Sequence, residues 1–95
     1  MIRGFADPET ALIWSGQRSR RLPPDIQAVA LRKLRLLNQA RVLADLRVPP
    51  GSRLEAPRGG RAGQHSIRID DQWRICFRWI DGGASDVEID YHGQA

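Results

Sequence analysis

The apolar residues of this chain change period once, and the two halves so defined must fold by different rules. Over residues 24–43, Ile26, Ala30, Leu34 and Leu37 recur at helical spacing, and Val29, Leu36, Ala40 and Leu43 widen the stripe. Arg32, Lys33, Arg35 and Arg41 fall mostly on the other side, as a basic outer face. From residue 64 strict alternation takes over. His65, Ile67 and Ile69 face one way, with Gln64, Ser66, Arg68 and Asp70 the other. Trp73, Ile75, Phe77 and Trp79 then share a face opposite Arg74, Cys76 and Arg78. Val87, Ile89 and Tyr91 alternate with Asp86, Glu88, Asp90 and His92. The change happens within residues 51–63, where Gly51, Gly59, Gly60, Gly63 and Pro57 accompany Arg53, Arg58 and Arg61. That composition predicts a basic loop.

Local signals complete the order of elements. Ile2–Phe5 is a short candidate strand. Asp7-Pro8-Glu9 reads as a helix start: a capping carboxylate, proline at the first helical position, and an acid at the positive end of the dipole. That helix should run to about Ser15 and stop at Gly16. Gln17–Leu22 is a basic loop containing Arg18, Arg20 and Arg21, and Pro23-Pro24-Asp25 opens the second helix. Pro49-Pro50-Gly51 closes the helical half, and Asp81-Gly82-Gly83 is a turn between strands. The predicted class is α+β, in the order β-α-α-β-β-β, with a C-terminal antiparallel meander and two helices packed on one face. With 95 residues and no internal repeat, the expectation is one domain over residues 1–95.

Several function classes are disfavoured at once. The longest uncharged run, Thr10–Gln17, has eight residues, against the ~20 needed to span a bilayer. Asp7 and Glu9 interrupt any apolar stretch after Arg3, so no signal peptide is expected and the predicted location is cytoplasmic. Cys76 is the single cysteine, which excludes an internal disulfide, and two histidines far apart in sequence assemble no standard zinc pattern. Neither metal nor cofactor is expected. The net charge of +4 is unevenly spread. Residues 18–61 hold ten Arg and Lys33 against Asp25, Asp45 and Glu55, a net of +8, whereas residues 62–95 are net −3. A segregated basic block suits a polyanion such as RNA, although a solvated basic surface has the same composition.

The hairpin after residue 64 allows two registers. A loop at residues 70–72 pairs Ile69 with Trp73, Ile67 with Ile75 and His65 with Phe77, and sets Arg68 opposite Arg74. Like charges in that position repel, and a bound phosphate would relieve them. A loop at 71–73 instead sets Asp70 opposite Arg74 as an ordinary salt bridge. Arg74 lies opposite the apolar face, so its side chain should not support the core: in the first register removing it should leave stability nearly unchanged, and in the second it should destabilise measurably. His65, on the apolar face, reads as structural, and Cys76 as a buried spectator.

The string Gly63-Gln64-His65-Ser66-Ile67-Arg68-Ile69, then Gln72-Trp73-Arg74-Ile75, and finally Asp90-Tyr91-His92, resembles the HigB-type toxins of bacterial toxin–antitoxin pairs, within the RelE-like superfamily. The resemblance runs over essentially the whole chain. It implies a compact sheet with two helices and a ribosome-dependent ribonuclease that cuts mRNA in the A site of the 70S ribosome. It also implies a helix-turn-helix antitoxin of the HigA type, with operator DNA bound only through the complex. Arg74 matches the arginine that such toxins place at the scissile phosphate, and Asp90, Tyr91 and His92 match their catalytic tripeptide. Arg58 and Arg61 stand in the matching basic loop segment, where position 60 is glycine instead of the usual acid. Gln72 stands where the base is contacted, and the register that faces Arg68 with Arg74 would add Arg68 to the phosphate site. The last strand is one residue shorter before Asp90 than is typical. An unbroken strand would therefore turn Tyr91 toward the core with Val87 and Ile89, and a bulge would restore its direction.

The implied chemistry is attack of a ribose 2′-OH on the adjacent phosphate. It needs a proton acceptor, a cation at the pentavalent phosphorus and a proton donor for the leaving oxygen. Arg74 supplies the cation, while Asp90, Tyr91 and His92 are the candidates for proton transfer. The competing class is a non-catalytic basic module that binds RNA or joins a repressor complex without cutting.

Overall fold

A computed structural model describes residues 1–56 and 63–92. Helix α1 spans Pro8–Trp14, and the Asp7 carboxylate caps it, accepting from the Thr10 amide at 2.7 Å and from the Thr10 hydroxyl at 3.1 Å. Thr10 is fully buried, and its Oγ1 in turn accepts the Ile89 amide at 2.9 Å. Thr10, held by the capping carboxylate, thus ties the helix to the last strand. Gly16, at φ +88°, lets the chain turn away after the helix.

Helix α2 spans Pro24–Gln39 and buries Ile26, Ala30, Leu34 and Leu37, four residues of the predicted stripe. The loop before it is organised by Gln27, which accepts the Ser19 amide and donates to the carbonyls of Ser19 and Leu22. The helix is shorter than the apolar stripe. It ends at Gln39, Ala40 is extended, and Leu43 belongs to a separate 3₁₀ turn, Leu43–Arg47. Asp45 accounts for the break: its carboxylate accepts the amides of Arg41 and Val42, giving them an alternative to helical partners. The same two bonds hold the Asp45 carboxyl below the ordinary carboxylate pKa. A second 3₁₀ turn, Pro50–Ser52, follows.

Strands β1 (Gln64–Arg68), β2 (Trp73–Ile80) and β3 (Gly83–Tyr91) form an antiparallel sheet in that order. The hairpin adopts the register that sets Arg68 opposite Arg74 and His65 opposite Phe77. Asp70 cannot serve as the partner of Arg74, because its carboxylate is occupied within the loop. There it accepts the amides of Gln72 and Trp73, each at 2.8 Å. Between β2 and β3 the register shifts once. Phe77 faces two residues, Asp86 and Val87, and Asp86 takes φ +51°. This bulge brings Ala84 and Val87, three apart in sequence, to the same buried face.

The predicted N-terminal strand is reduced to two isolated parallel bridges, Ile2 to Ala84 and Phe5 to Val87. They use the residues on either side of the bulge and cover that edge of β3. Glu55 covers the other edge by an antiparallel bridge to Ser66 on β1. The core lies between α2 and the inner face of the sheet, where Leu34, Leu37, Ile67, Ile75, Phe77 and Val87 are fully buried. The class is therefore α+β, with two helices beside a three-stranded antiparallel sheet. No helix among the described residues is long and apolar enough to cross a membrane.

Candidate functional site

The face of the sheet away from the core carries Ser66 and Arg68 from β1, Arg74 and Cys76 from β2, and Asp90 from β3. Arg74 and Asp90 are direct cross-strand partners there, as are Ser66 and Cys76. Arg74 is not free, however. Only 9% of it is exposed, and its Nε donates to Ser66 Oγ at 2.7 Å. Its Nη2 donates to the Arg53 carbonyl at 2.6 Å and the Ser66 carbonyl at 3.2 Å, with Glu55 Oε2 at 3.7 Å. The sequence-based expectation that Arg74 stands apart from the scaffold therefore fails. The reason is the bridge between Glu55 and Ser66, which lays residues 53–55 over the guanidinium. Burial lowers its pKa, with Glu55 acting against the shift and Arg68 and Arg53 adding to it.

Around Arg74 the cations converge. Arg68, its cross-strand partner, is ion-paired with Asp71, whose side chain is 91% exposed. Lys33 of α2 donates through Nζ to the buried Ser52 hydroxyl at 2.6 Å. Desolvation lowers its pKa first, and the charges of Arg32 and Arg68 lower it further. Arg68 thus acts in the same direction on both Lys33 and Arg74, behind the larger effect of burial on each. Lys33 was assigned only to a solvated helix face by sequence. Its approach to Arg68 depends on the Pro50–Ser52 turn, which leaves no periodic signature.

Asp90 and His92 meet beyond Arg74, where His92 Nε2 lies 3.2 Å from Asp90 Oδ2 and 3.5 Å from Cys76 Sγ. The His92 amide donates to the Gln72 carbonyl, which joins the exposed hairpin loop to the end of β3. Burial is the main reason the Cys76 thiol is pushed up to about 11. The charges of Asp90 and Glu88 add to the shift and Arg74 opposes it. Cys76 was read from sequence as a spectator, and the two histidines as unable to build a metal pattern. Folding brings the two residue types together in a way that sequence spacing does not announce: Cys76, Asp90 and His92 place their ligand atoms within 4.8 Å of one another.

Tyr91 takes a different direction. The bulge that could have reoriented it sits at Asp86, before Val87, so Val87, Ile89 and Tyr91 still share the inner face. The Tyr91 ring packs edge-on against Trp73 with centroids 5.2 Å apart, yet it remains 52% exposed at the end of the strand. The structure thus gathers Arg74, Asp90 and His92 on one face and leaves Tyr91 on the other. Arg58 and Arg61 lie outside the described residues.

Residues 7–92 match the family model of RelE-like toxins of the type II toxin–antitoxin system HigB. The chain belongs to the HigB-like toxin family. It is 41% identical over 76 residues to Toxin HigB-1 of Vibrio cholerae, covering 80% of each chain. It is also 26% identical over 77 residues to an uncharacterized protein of Haemophilus influenzae, covering 81% of this chain and 76% of that protein. As a HigB-like toxin it is the toxin component of a type II pair, and its partner is an antitoxin.

Within this HigB-like toxin, the arrangement has the elements that phosphodiester chemistry requires. A fixed cation, a carboxylate and an imidazole occupy one face, and further cations stand beside them. The rigidity of Arg74 is compatible with such a role, because a preorganised charge needs no reorganisation when negative charge develops nearby.

Proposed function

We propose that this HigB-like toxin is a ribosome-dependent endoribonuclease of the cytoplasm that cleaves mRNA in the A site of the 70S ribosome and so arrests translation. The observation that carries this reading is the pairing of Arg74 with Asp90 across β2 and β3, with His92 Nε2 3.2 Å from the Asp90 carboxylate. The substrate phosphate sits against Arg74 and Arg68, and Arg58 and Arg61 contribute further charge to RNA binding. Asp90 and His92 divide the removal of the 2′ proton and the protonation of the 5′ oxygen. Tyr91, half-exposed on Trp73, offers a ring face to a base. Gln72 contacts the base from the hairpin loop. Neither metal nor cofactor takes part in the cutting step. So small and open a surface holds RNA loosely, and the ribosome supplies the orientation that the toxin lacks.

The whole chain, residues 1–95, acts as one domain in this reading. The antitoxin is of the HigA helix-turn-helix type and attaches to the helical layer, and operator DNA is met only through that complex. The test is programmed 70S ribosomes incubated with the purified toxin, followed by mapping of mRNA 5′ ends. Expected products carry a 5′-OH and a 2′,3′-cyclic phosphate, and naked RNA is cut far more slowly. Equal cleavage with and without ribosomes would overturn ribosome dependence. RNA binding with no cleavage in either condition would favour the non-catalytic module.

A further inference from the structure

The cluster of Cys76, Asp90 and His92 joins three different ligand types on two strands. Cys76 projects from the middle of β2, Asp90 from the end of β3, and His92 follows directly after β3. A tetrahedral zinc with Zn–S of about 2.3 Å and Zn–N or Zn–O of about 2.0–2.2 Å needs ligand-to-ligand edges of roughly 3.3–3.6 Å. One edge already has this size, Sγ to Nε2 at 3.5 Å, and a second, Nε2 to Oδ2 at 3.2 Å, falls just short of it. All three ligand atoms fall within 4.8 Å of one another, so a small side-chain rotation closes the third edge.

From this geometry we propose that Cys76 Sγ, His92 Nε2 and Asp90 form a binding site for a borderline-soft divalent cation, zinc above all. Thiolate, imidazole and carboxylate together suit zinc, whereas magnesium and calcium take oxygen ligands and have no use for the sulfur. The cation reaches the site from solvent, since the side chains of His92 and Asp90 are 43% and 54% exposed while Cys76 forms the floor. The surrounding charge agrees. Glu88 is the cross-strand partner of Cys76, and the nearby guanidinium of Arg74 is turned toward Ser66 and the Arg53 carbonyl. Binding replaces the thiol proton with the cation, and three protein ligands leave a fourth position for water.

The consequence for activity rests on the ribonuclease reading. The bound cation occupies the His92 nitrogen and the Asp90 oxygen that proton transfer requires, so zinc holds the toxin inactive. It does so without touching Arg74 or the basic surface, and RNA or ribosome binding should persist. Asp90 and His92 therefore serve two uses in competition, with Cys76 supplying the ligand that only the metal needs.

Cobalt(II) titrated into the reduced, full-length protein tests the site by itself. Cys76 is the only cysteine, so a thiolate-to-cobalt charge-transfer band in the near ultraviolet reports this residue alone. One equivalent should saturate the band, zinc should displace it, and Cys76→Ser should abolish it without altering the melting profile in chelator. Cys76→Ala serves as the second variant if the serine protein folds poorly. A wild-type protein with no such band overturns the site. In the ribosome assay, zinc at saturation should slow wild-type cleavage tenfold or more, and Cys76→Ser should cleave at the wild-type rate whether or not zinc is present. Cobalt binding with cleavage insensitive to zinc overturns the inhibitory role. Cobalt binding by a protein that never cleaves overturns the ribonuclease reading and leaves the metal site standing.

Discussion

Arg74 and His92 reach the same face of the sheet, but the fold holds them in opposite ways. Arg74 lies mid-face, buried, with three hydrogen bonds to Ser66 and to the chain at Arg53. His92 follows the last strand, and its half-exposed ring has Asp90 and Cys76 as its polar partners among the described residues. One group is part of the scaffold, and the other is attached to it. In a chain this small, where little interior is available for rigid support, the fold fixes Arg74 and leaves His92 and Asp90, the groups to which the proposed mechanism gives proton transfer, less constrained.

The sharpest separation of the two regions is His92→Ala. The His92 amide bond to Gln72 is made by the backbone and survives the substitution. Thermal stability should stay within about 0.5 kcal/mol of wild type, as is usual for an exposed position. Cleavage on the ribosome should fall by a factor of about 10²–10⁴, the range for losing a general acid or base. Chemical denaturation and single-turnover cleavage, measured on the same preparation, check both halves. A large loss of stability would place His92 in the scaffold and break the distinction.

Arg74→Ala should do the reverse on stability. It strips the Ser66 hydroxyl and the carbonyls of Ser66 and Arg53 of a charged donor, and it releases residues 53–55 from β1. A loss of about 2–3 kcal/mol is expected, with cleavage lost as well. Arg74→Lys keeps the charge but cannot reproduce the fork, so it should recover part of the stability and little of the activity. Denaturant midpoints for the two variants test the order. An Arg74→Ala protein as stable as wild type would mean that the buried contacts contribute nothing net.

The facing of residues 64–79 was legible in their alternation, as were α1, from its capping sequence, and the start of α2, whereas the choice between the two hairpin registers turns on Asp70 capping the loop amides of Gln72 and Trp73. Those features are written in neighbouring residues. The anchoring of Arg74 was not, because it depends on Glu55 pairing with Ser66 across a glycine-rich stretch with no period to read. The true end of α2 was hidden for a related reason: Leu43 continues the apolar stripe, and only the Asp45 carboxylate reveals where the helix stops. Cys76 and His92 lie 16 residues apart on elements whose pairing depends on a bulge at Asp86. Alternation gave the face of each, but not that they meet.

Alkaline titration probes the buried thiol beneath Asp90 and His92. The Cys76 thiol is pushed up to about 11 from an ordinary 9.0, chiefly by burial. The unfolded chain therefore ionises this group first as the pH rises. The stability it contributes is complete below pH 9 and is lost as the pH passes from 9 toward 11. Across that window wild type should lose about 1–2 kcal/mol more than Cys76→Ser, a value reduced from the full shift because solvent reaches the site. Denaturation curves at a series of pH values, in chelator, give the difference directly. Parallel curves for the two proteins would show that the thiol is solvated.

The smallest expected effect concerns the cation facing Arg74. Arg68 is paired with Asp71 over three residues of one turn, and the acid is almost wholly exposed. Such a pair adds little to stability, so Asp71→Asn should change it by less than about 0.5 kcal/mol. Its consequence lies in binding. If Arg68 is the adjustable member of the arginine pair and Arg74 the fixed one, RNA must compete with Asp71 for Arg68. Removing the acid then strengthens phosphate binding by about 0.5 kcal/mol, roughly a twofold fall in the apparent KM with kcat unchanged. The effect should shrink as salt is raised, since it is carried by exposed charge. Kinetics at two ionic strengths separate the outcomes. An unchanged KM at low salt would mean that Arg68 never leaves Asp71 for RNA, and the phosphate would then be held by Arg74 and the cations of the basic block instead.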